Sequence, residues 1–407
     1  MKEGWENKTL GDVLDVLRNG VNCKQDKKGV GDKISRIESI SNADFDIAKV
    51  GFTTLSKSDK EKYRLVKGDI LFSHINSPIH VGKTALFNSN EEVYHGVNLL
   101  LMRPKPFLNV TYFEHFLKYL FQNGYWKGLC KQSVNQASVN QQDINKVEIN
   151  FPQSLPEQQR IVAILDEAFA AIAKAKANAE QNLKNAKELF ESYLQGVFEN
   201  GNWEKVKLSE LAKDITDGDH MPPPKSEEGF PFITISNINK QNRQIDFSDT
   251  FKVPKAYFDK LKENRKPKKG DVLYTVTGSY GIPVLIESDI KFCFQRHIGL
   301  IRPKENVSSK WLYYWILSPQ ALFQANDTAT GTAQKTVSLK ALRNFVLPKM
   351  DLKAQQAIVQ KLDALSTETK KLESIYQQKI NDLEELKKSV LQKAFNGELK
   401  TKKAQTI

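Results

Sequence analysis

Cysteine is scarce in this 407-residue chain, and its three copies, Cys23, Cys130 and Cys293, lie far apart. That spacing excludes a disulfide framework or a zinc knuckle and suits reduced thiols in a cytoplasmic protein. Long apolar runs are also missing, since no stretch approaches the ~18 residues a membrane span requires. Met1-Lys2-Glu3-Gly4-Trp5 lacks the apolar core of a signal peptide, so the expected location is the cytoplasm. Acidic side chains are outnumbered, 48 Asp and Glu against 60 Lys and Arg. The excess falls in two stretches: residues 1–152 carry 21 basic against 17 acidic groups, and 202–348 carry 22 against 16. A basic surface favours an acidic partner, nucleic acid before membrane, although mild basicity is common enough to decide little alone.

Catalytic signatures are wanting too. Asp166-Glu167-Ala168-Phe169 has the look of a helicase box, but no Gly-x-x-x-x-Gly-Lys-Ser/Thr phosphate loop supports it. Gly29-Val30-Gly31 lacks the third glycine of a dinucleotide loop, and no Asn-Pro-Pro-Tyr/Phe or Asp-Pro-Pro-Tyr motif serves methyl transfer to a base. Asp217-Gly218-Asp219-His220 reads as an ordinary turn, not a metal site, and His74, His80 and His95 are scattered. The expectation is a chain that is not an enzyme and holds no metal.

What is present is a duplication. Trp5-Glu6 and Leu10-Gly11-Asp12-Val13 return as Trp203-Glu204 and Leu208-Ser209-Glu210-Leu211. Lys67-Gly68-Asp69-Ile70-Leu71-Phe72 returns as Lys269-Gly270-Asp271-Val272-Leu273-Tyr274, and Arg103-Pro104 as Arg302-Pro303. Pro152, Gln158-Gln159 and Leu165-Asp166 return as Pro348, Gln355-Gln356 and Leu362-Asp363. A whole unit is repeated, not a short solenoid motif. Buried strands are expected at Ile70-Leu71-Phe72, Leu99-Leu100-Leu101, Val272-Leu273-Tyr274 and Ile298-Gly299-Leu300, with one packed helix per half at Tyr112–Phe121 and Trp311–Leu317.

Each copy closes on a long amphipathic helix. Ser154-Leu155-Pro156-Glu157 has the spacing of a capping box, and Asp351 suits the N-cap of its counterpart. Apolar residues recur in steps of four and three through Ile161, Leu165, Ala168, Ile172, Ala175 and Ala179. After one extra step of four they resume at Leu183, Ala186, Phe190, Tyr193 and Val197. Positions 197 residues later, Ile358, Leu362, Leu365, Leu372, Tyr376, Ile380, Leu383, Val390 and Ala394 among them, repeat the pattern and its stutter. A shared heptad seam marks two helices made to pair, the seam residues being Ile161, Leu165, Ile172, Ala179, Leu183, Ile358, Leu362, Leu372, Tyr376 and Ile380. Antiparallel pairing sets Ala175 against Ile380, parallel pairing sets it against Leu372, and both fit sterically. The helices are expected to end near Asn200-Gly201 and Asn396-Gly397.

Several stretches give the chain a family likeness: Thr216-Asp217-Gly218-Asp219-His220-Met221-Pro222-Pro223-Pro224, Gly229-Phe230-Pro231-Phe232-Ile233, Gly331-Thr332-Ala333-Gln334-Lys335-Thr336-Val337-Ser338, and the closing helix Lys387–Leu399. With the helix starts at Leu155–Val162 and Ala354–Val359, the arrangement closely resembles the specificity subunit of Type I restriction–modification systems over essentially the whole chain. Asp219 departs from the family's usual small hydroxyl residue, which discourages assigning that loop a special role.

The resemblance implies an α/β (α+β) fold with two pseudo-twofold-related target-recognition domains, 1–152 and 202–348. Two long antiparallel coiled-coil helices, within 153–201 and 349–407, would separate them as a ruler. It implies double-stranded DNA as ligand, two modification subunits bringing S-adenosylmethionine, and ATP- and Mg-dependent restriction subunits, with no cofactor in this chain. Loops on a rigid scaffold are the natural readers of bases. The candidates are Asn22, Lys24, His74, Asn76, Lys131, Gln132 and Gln136 in the first half. In the second they are Lys225, Thr277, Ser279, Tyr280, Arg296, Gln334 and Lys335. The competing reading, a self-contained nuclease or methyltransferase, requires activity from the purified chain alone.

Overall fold

In a computed structural model of the chain, the described residues are 3–42, 44–133, 136–199, 203–332 and 334–399. They fall into two compact units, residues 1–179 with 378–407 and residues 180–377. Both boundaries lie inside a long helix, so each unit takes the beginning of one helix and the end of the other.

The two units are built alike. In the first, a four-stranded antiparallel sheet runs in the order Leu14–Asn19, Leu100–Pro104, Asp69–Phe72, Thr84–Phe87. In the second, the order is Ala212–Asp217, Ile298–Pro303, Val272–Thr275, Pro283–Leu285. Even the register slip in the edge strand recurs, between Leu14 and Val16 and between Ala212 and Asp214. The central strands read as unbroken apolar runs because both faces are covered. Ile70, Phe72, Leu100 and Met102 face one core, and Leu71, Leu99 and Leu101 face another. Val272, Tyr274 and Ile301 against Leu273, Ile298 and Leu300 repeat the division. Alternation along a strand serves two cores here instead of a core and solvent.

A second ladder closes each unit. Trp5–Thr9 pairs with Glu148–Pro152, and Lys205–Lys207 with Val346–Pro348, fixing the start of each long helix. The expected helices appear as Val110–Gln122 and Ser309–Leu317. One helix per half was too few, because Tyr125–Leu129 and Pro319–Thr328 follow them directly.

The long helices span Leu155–Glu199 and Leu352–Phe395, each about 66 Å at ~1.5 Å per residue. The second opens on Asp351, whose Oδ1 accepts the Ala354 N–H at 2.7 Å. It closes on Gly397 at φ 73°, a left-handed cap; Asn200 and Gly201 lie outside the described residues. Within the first unit the helices run antiparallel: Lys176 pairs with Glu384, and Lys387 lies 5.3 Å from the centre of the Phe169 ring. Moving forward on one helix moves backward on the other. Within the second unit, Leu194 near the end of the first helix shares a core with Leu362 near the start of the second.

Ile161, Leu165, Ile172, Ala179 and Leu362 are buried, while Leu183, Ile358, Tyr376 and Ile380 are half-buried. Two seam expectations need correction. Leu372 is 37% exposed, since a seam between single helices shields only one flank of each residue. Tyr193 is 39% exposed, and Leu194 and Phe198 are buried in its place. Beyond Ala186 the buried residues are Leu194 and Phe198, a step of four apart, matched in the second helix by Leu391 and Phe395, with the expected Ala394 buried beside them. There each helix lies on a globular core, and a straight 3.6-residue helix presents a broader face than a heptad seam.

Candidate nucleic-acid interface

The duplicated motifs turn out to be the braces beneath the variable loops. Asp69 and Arg103 form a two-pronged pair, Nε to Oδ1 at 2.7 Å and Nη2 to Oδ2 at 3.0 Å. Asp271 and Arg302 repeat it at 2.9 and 2.7 Å. Each aspartate also accepts a backbone N–H three residues upstream, from Val66 and Lys268. The pair ties a central strand to its neighbour at the end away from the loop that follows it.

Gln158 and Gln355 are the second brace, with 0% and 1% exposure. Gln158 Oε1 accepts the Asn109 N–H at 2.7 Å, and its amide nitrogen donates to Phe107 O and Pro152 O. Gln355 Oε1 accepts the Ser308 N–H at 2.7 Å, and its amide nitrogen donates to Met350 O. Each glutamine bolts the start of a long helix to the start of the helix packed on the sheet. The sequence showed the Gln-Gln pair twice without saying which member is buried.

On this frame the structure gathers some of the expected readers. In the second unit, Thr277 bridges Thr336, and the Gly278 N–H donates to Lys335 O at 2.9 Å. Gln334 lies against Gly278, whose missing side chain leaves room for its amide. Ser279, Tyr280, Gln334 and Lys335 thus form one surface, with Tyr280 held by its hydroxyl donating to Asn326 Oδ1 at 2.8 Å. In the first unit, Val139 N–H donates to His74 O at 2.9 Å, and Ile75–Asn76 pairs with Gln136–Ser138, which pairs with Lys131–Ser133. Lys131 is exposed there; the side chains of Asn76, Gln132 and Gln136 lie outside the described residues.

Other candidates stand on separate loops. Asn22 and Lys24 are exposed between the Val21–Gly96 and Asp26–Phe52 bridges. Lys225 is anchored 5.3 Å from the Phe251 ring, and Arg296 is exposed while its N–H donates to Asp219 O. Two candidates are corrected by burial: His74 is 6% and Thr277 7% exposed, so both support their loops from beneath and offer no surface to a groove. Desolvation pushes the His74 imidazole down to about 4, so it is neutral at pH 7.

Two features were missed. The loops Asn19–Lys28 and Asp217–Lys225, so unlike in sequence, turn on equivalent glycines. A Cβ on Gly20 would stand 2.3 Å from His95 O, and one on Gly218 would stand 1.9 Å from Phe294 O. The Asp217 loop is also braced: Asp217 accepts Arg265 at 3.2 Å and lies 2.8 Å from His220 Nε2. Burial works to raise the Asp219 carboxyl, but hydrogen bonds led by the Tyr257 hydroxyl outweigh it and hold it below the usual range.

Two similarly braced scaffolds carrying unlike, partly basic loops define a protein that recognises two different things in a similar way. The sequence matches the family described as the type I restriction modification DNA specificity domain twice, over residues 2–184 and 200–385. The chain belongs to that family, and it is a DNA specificity subunit with bipartite recognition. It is similar to the putative type I restriction enzyme MjaX specificity subunit of Methanocaldococcus jannaschii, 30% identical across 98% of this chain and 95% of that one. The type I restriction enzyme EcoKI specificity subunit of Escherichia coli is 23% identical across 98% and 90%. A solved structure from work on complex assembly and conformational transition of the type I R-M system shares the fold, with TM-score 0.75 and 19% identity over 98% of this chain and 99% of that one. The HsdS subunit from Thermoanaerobacter tengcongensis shares it with TM-score 0.60 and 18% identity over 98% of both.

Gly218 gives a direct test of the loop frame. In Gly218→Ala the new methyl must displace the Phe294 backbone, at a cost of about 1–3 kcal/mol. Binding of the full chain to a duplex bearing only the second half-site should weaken roughly tenfold or more in consequence, with the first half-site unaffected. Equal weakening at both would place the glycine's role elsewhere.

Proposed function

We propose that this chain is the non-catalytic recognition subunit of a DNA-modification complex, each domain reading one half of a split target while partner subunits perform the chemistry. The observation that carries this is the pairing of like with unlike. The Asp–Arg and glutamine braces are duplicated, whereas the loops they support differ in chemistry, Ser73-His74-Ile75-Asn76-Ser77 against Thr275-Val276-Thr277-Gly278-Ser279. Lys131, Lys335 and Arg296 suit phosphate or guanine contacts, and Gln334 suits adenine.

Two modification subunits docked on the long helices would bring S-adenosylmethionine and flip and methylate one adenine per half-site. ATP- and Mg-dependent restriction subunits would join that core, and the setting would be the cytoplasm. This chain would contribute no cofactor, and among its described residues no helix is long and apolar enough to cross a membrane. The test is reconstitution. The purified chain given S-adenosylmethionine, ATP, Mg and target DNA should neither methylate nor cleave, and adding its co-purified partner should start methyl transfer. Transfer by the chain alone would overturn the proposal.

A further inference from the structure

At two buried positions of the shared frame the first unit has histidine where the second has an apolar residue. His74 O accepts the Val139 N–H and Val276 O accepts the Val337 N–H at the same point of the fold, so His74 stands where the second unit has Val276. Gly20 packs on His95 O as Gly218 packs on Phe294 O, so His95 stands where the second unit has Phe294. All four residues are buried, His95 at 0% exposure. Neither imidazole is fully satisfied: the Nδ1 atoms of His74 and His95 have no hydrogen-bond partner among the described residues. His95 Nε2 lies 3.0 Å from Leu99 O, which makes it the protonated nitrogen of a neutral ring.

We infer that His74 and His95 are positioning residues for the first recognition domain, holding its two loops only while both rings are neutral, so that reading of the first half-site falls with pH more steeply than reading of the second, where the imidazoles of His220 and His297 are not buried. The inference rests on the proposed bipartite reading. The His74 carbonyl accepts the Val139 N–H at 2.9 Å, at the end of the strand Gln136–Ser138, and the His95 carbonyl accepts the Val21 N–H at 2.8 Å, at the root of the Asn22–Lys24 loop. A proton on either ring must be hydrated, which means drawing the residue out and releasing the loop it carries.

The charges around the rings oppose protonation. Burial is the leading cause for both, and each is held down to about 4 against an ordinary 6.5. Arg18, on the strand Leu14–Asn19, and His74 itself further disfavour charge on His95, while the Leu99 carbonyl favours it. No carboxylate acts on either ring among the described residues. A group with a lowered imidazole pKa binds its proton only when released, so release is favoured as pH falls from 6.5 towards 4. Each ring then contributes about tenfold per pH unit, and about a hundredfold at pH 5.5 if both are released together.

The test uses the full chain. Hydrogen exchange, corrected for its intrinsic pH dependence, is compared at pH 7.5 and 5.5 for the segments ending at Val139 and Val337, alongside binding to duplexes carrying one half-site each. The expected result is at least tenfold loss of protection and binding for the first unit, with a smaller change in the second. His74→Val with His95→Phe, the residues the second unit uses, should flatten that pH dependence while leaving pH 7.5 protection intact. Val276→His should confer acid sensitivity on the second half-site. Equal responses of the two segments, or an unchanged pH profile in the double variant, would overturn the inference. Absence of DNA binding at pH 7.5 would count against the proposed function, and the exchange data would still decide this one.

Discussion

Asp271→Ala should lower the unfolding free energy of the full chain by about 3–5 kcal/mol and abolish reading of the second half-site. The aspartate is 2% exposed, and both its oxygens are committed to Arg302 and one also to the Lys268 N–H. Removing it leaves a guanidinium whose side chain is 14% exposed with the carbonyls of Glu263 and Lys266 as acceptors and with Asp214 Oδ2 at 3.7 Å as its remaining carboxylate contact. The large cost comes from taking the two-pronged partner from a largely buried charge and leaving it only the longer Asp214 contact, not from the net strength of the pair. Asp271→Ala with Arg302→Met should therefore recover much of the loss, because a buried pair replaced as a whole often costs little. Urea denaturation of the three proteins checks both halves of the statement. A single variant within about 1 kcal/mol of the parent would mean that water already reaches the pair.

Gln158→Leu is the second large effect. The side chain is fully buried, and its loss leaves the Asn109 N–H and the carbonyls of Phe107 and Pro152 without it, each costing about 1–3 kcal/mol if unsatisfied. A total of at least about 3 kcal/mol is expected, with the first domain loosened from its helix. Gln355→Leu removes, among the described residues, bonds to Ser308 N and Met350 O and should cost less. Limited proteolysis in the 105–110 connection, compared with 304–309, distinguishes the two: the first variant should open the former and the second the latter.

Both braces were visible in the sequence as repeated motifs, yet neither could be read as a contact. Asp69 and Arg103 lie 34 residues apart, and strand order alone brings them together. The helices were legible because a 3.6-residue period survives any local detail, and the central strands because apolar runs bounded by turns do. The seam failed at Tyr193 for a tertiary reason, since a heptad frame presumes a helix as partner and the chain there meets a domain core. The candidate site was least legible. His74 sits in the polar run Ser73-His74-Ile75-Asn76-Ser77, which reads as a surface loop, and its burial comes from the 136–139 segment folding over it. Gly20 and Gly218 were hidden because the residues around them differ in every other respect.

Single-molecule methylation sequencing of the host genome, with and without this gene, addresses the bipartite reading most directly. Loss of one split motif, with one modified adenine in each half and the two on opposite strands, is the expected result. A methylome unchanged by the deletion while the gene and its partners are expressed, or a motif with both adenines on one strand, would contradict it.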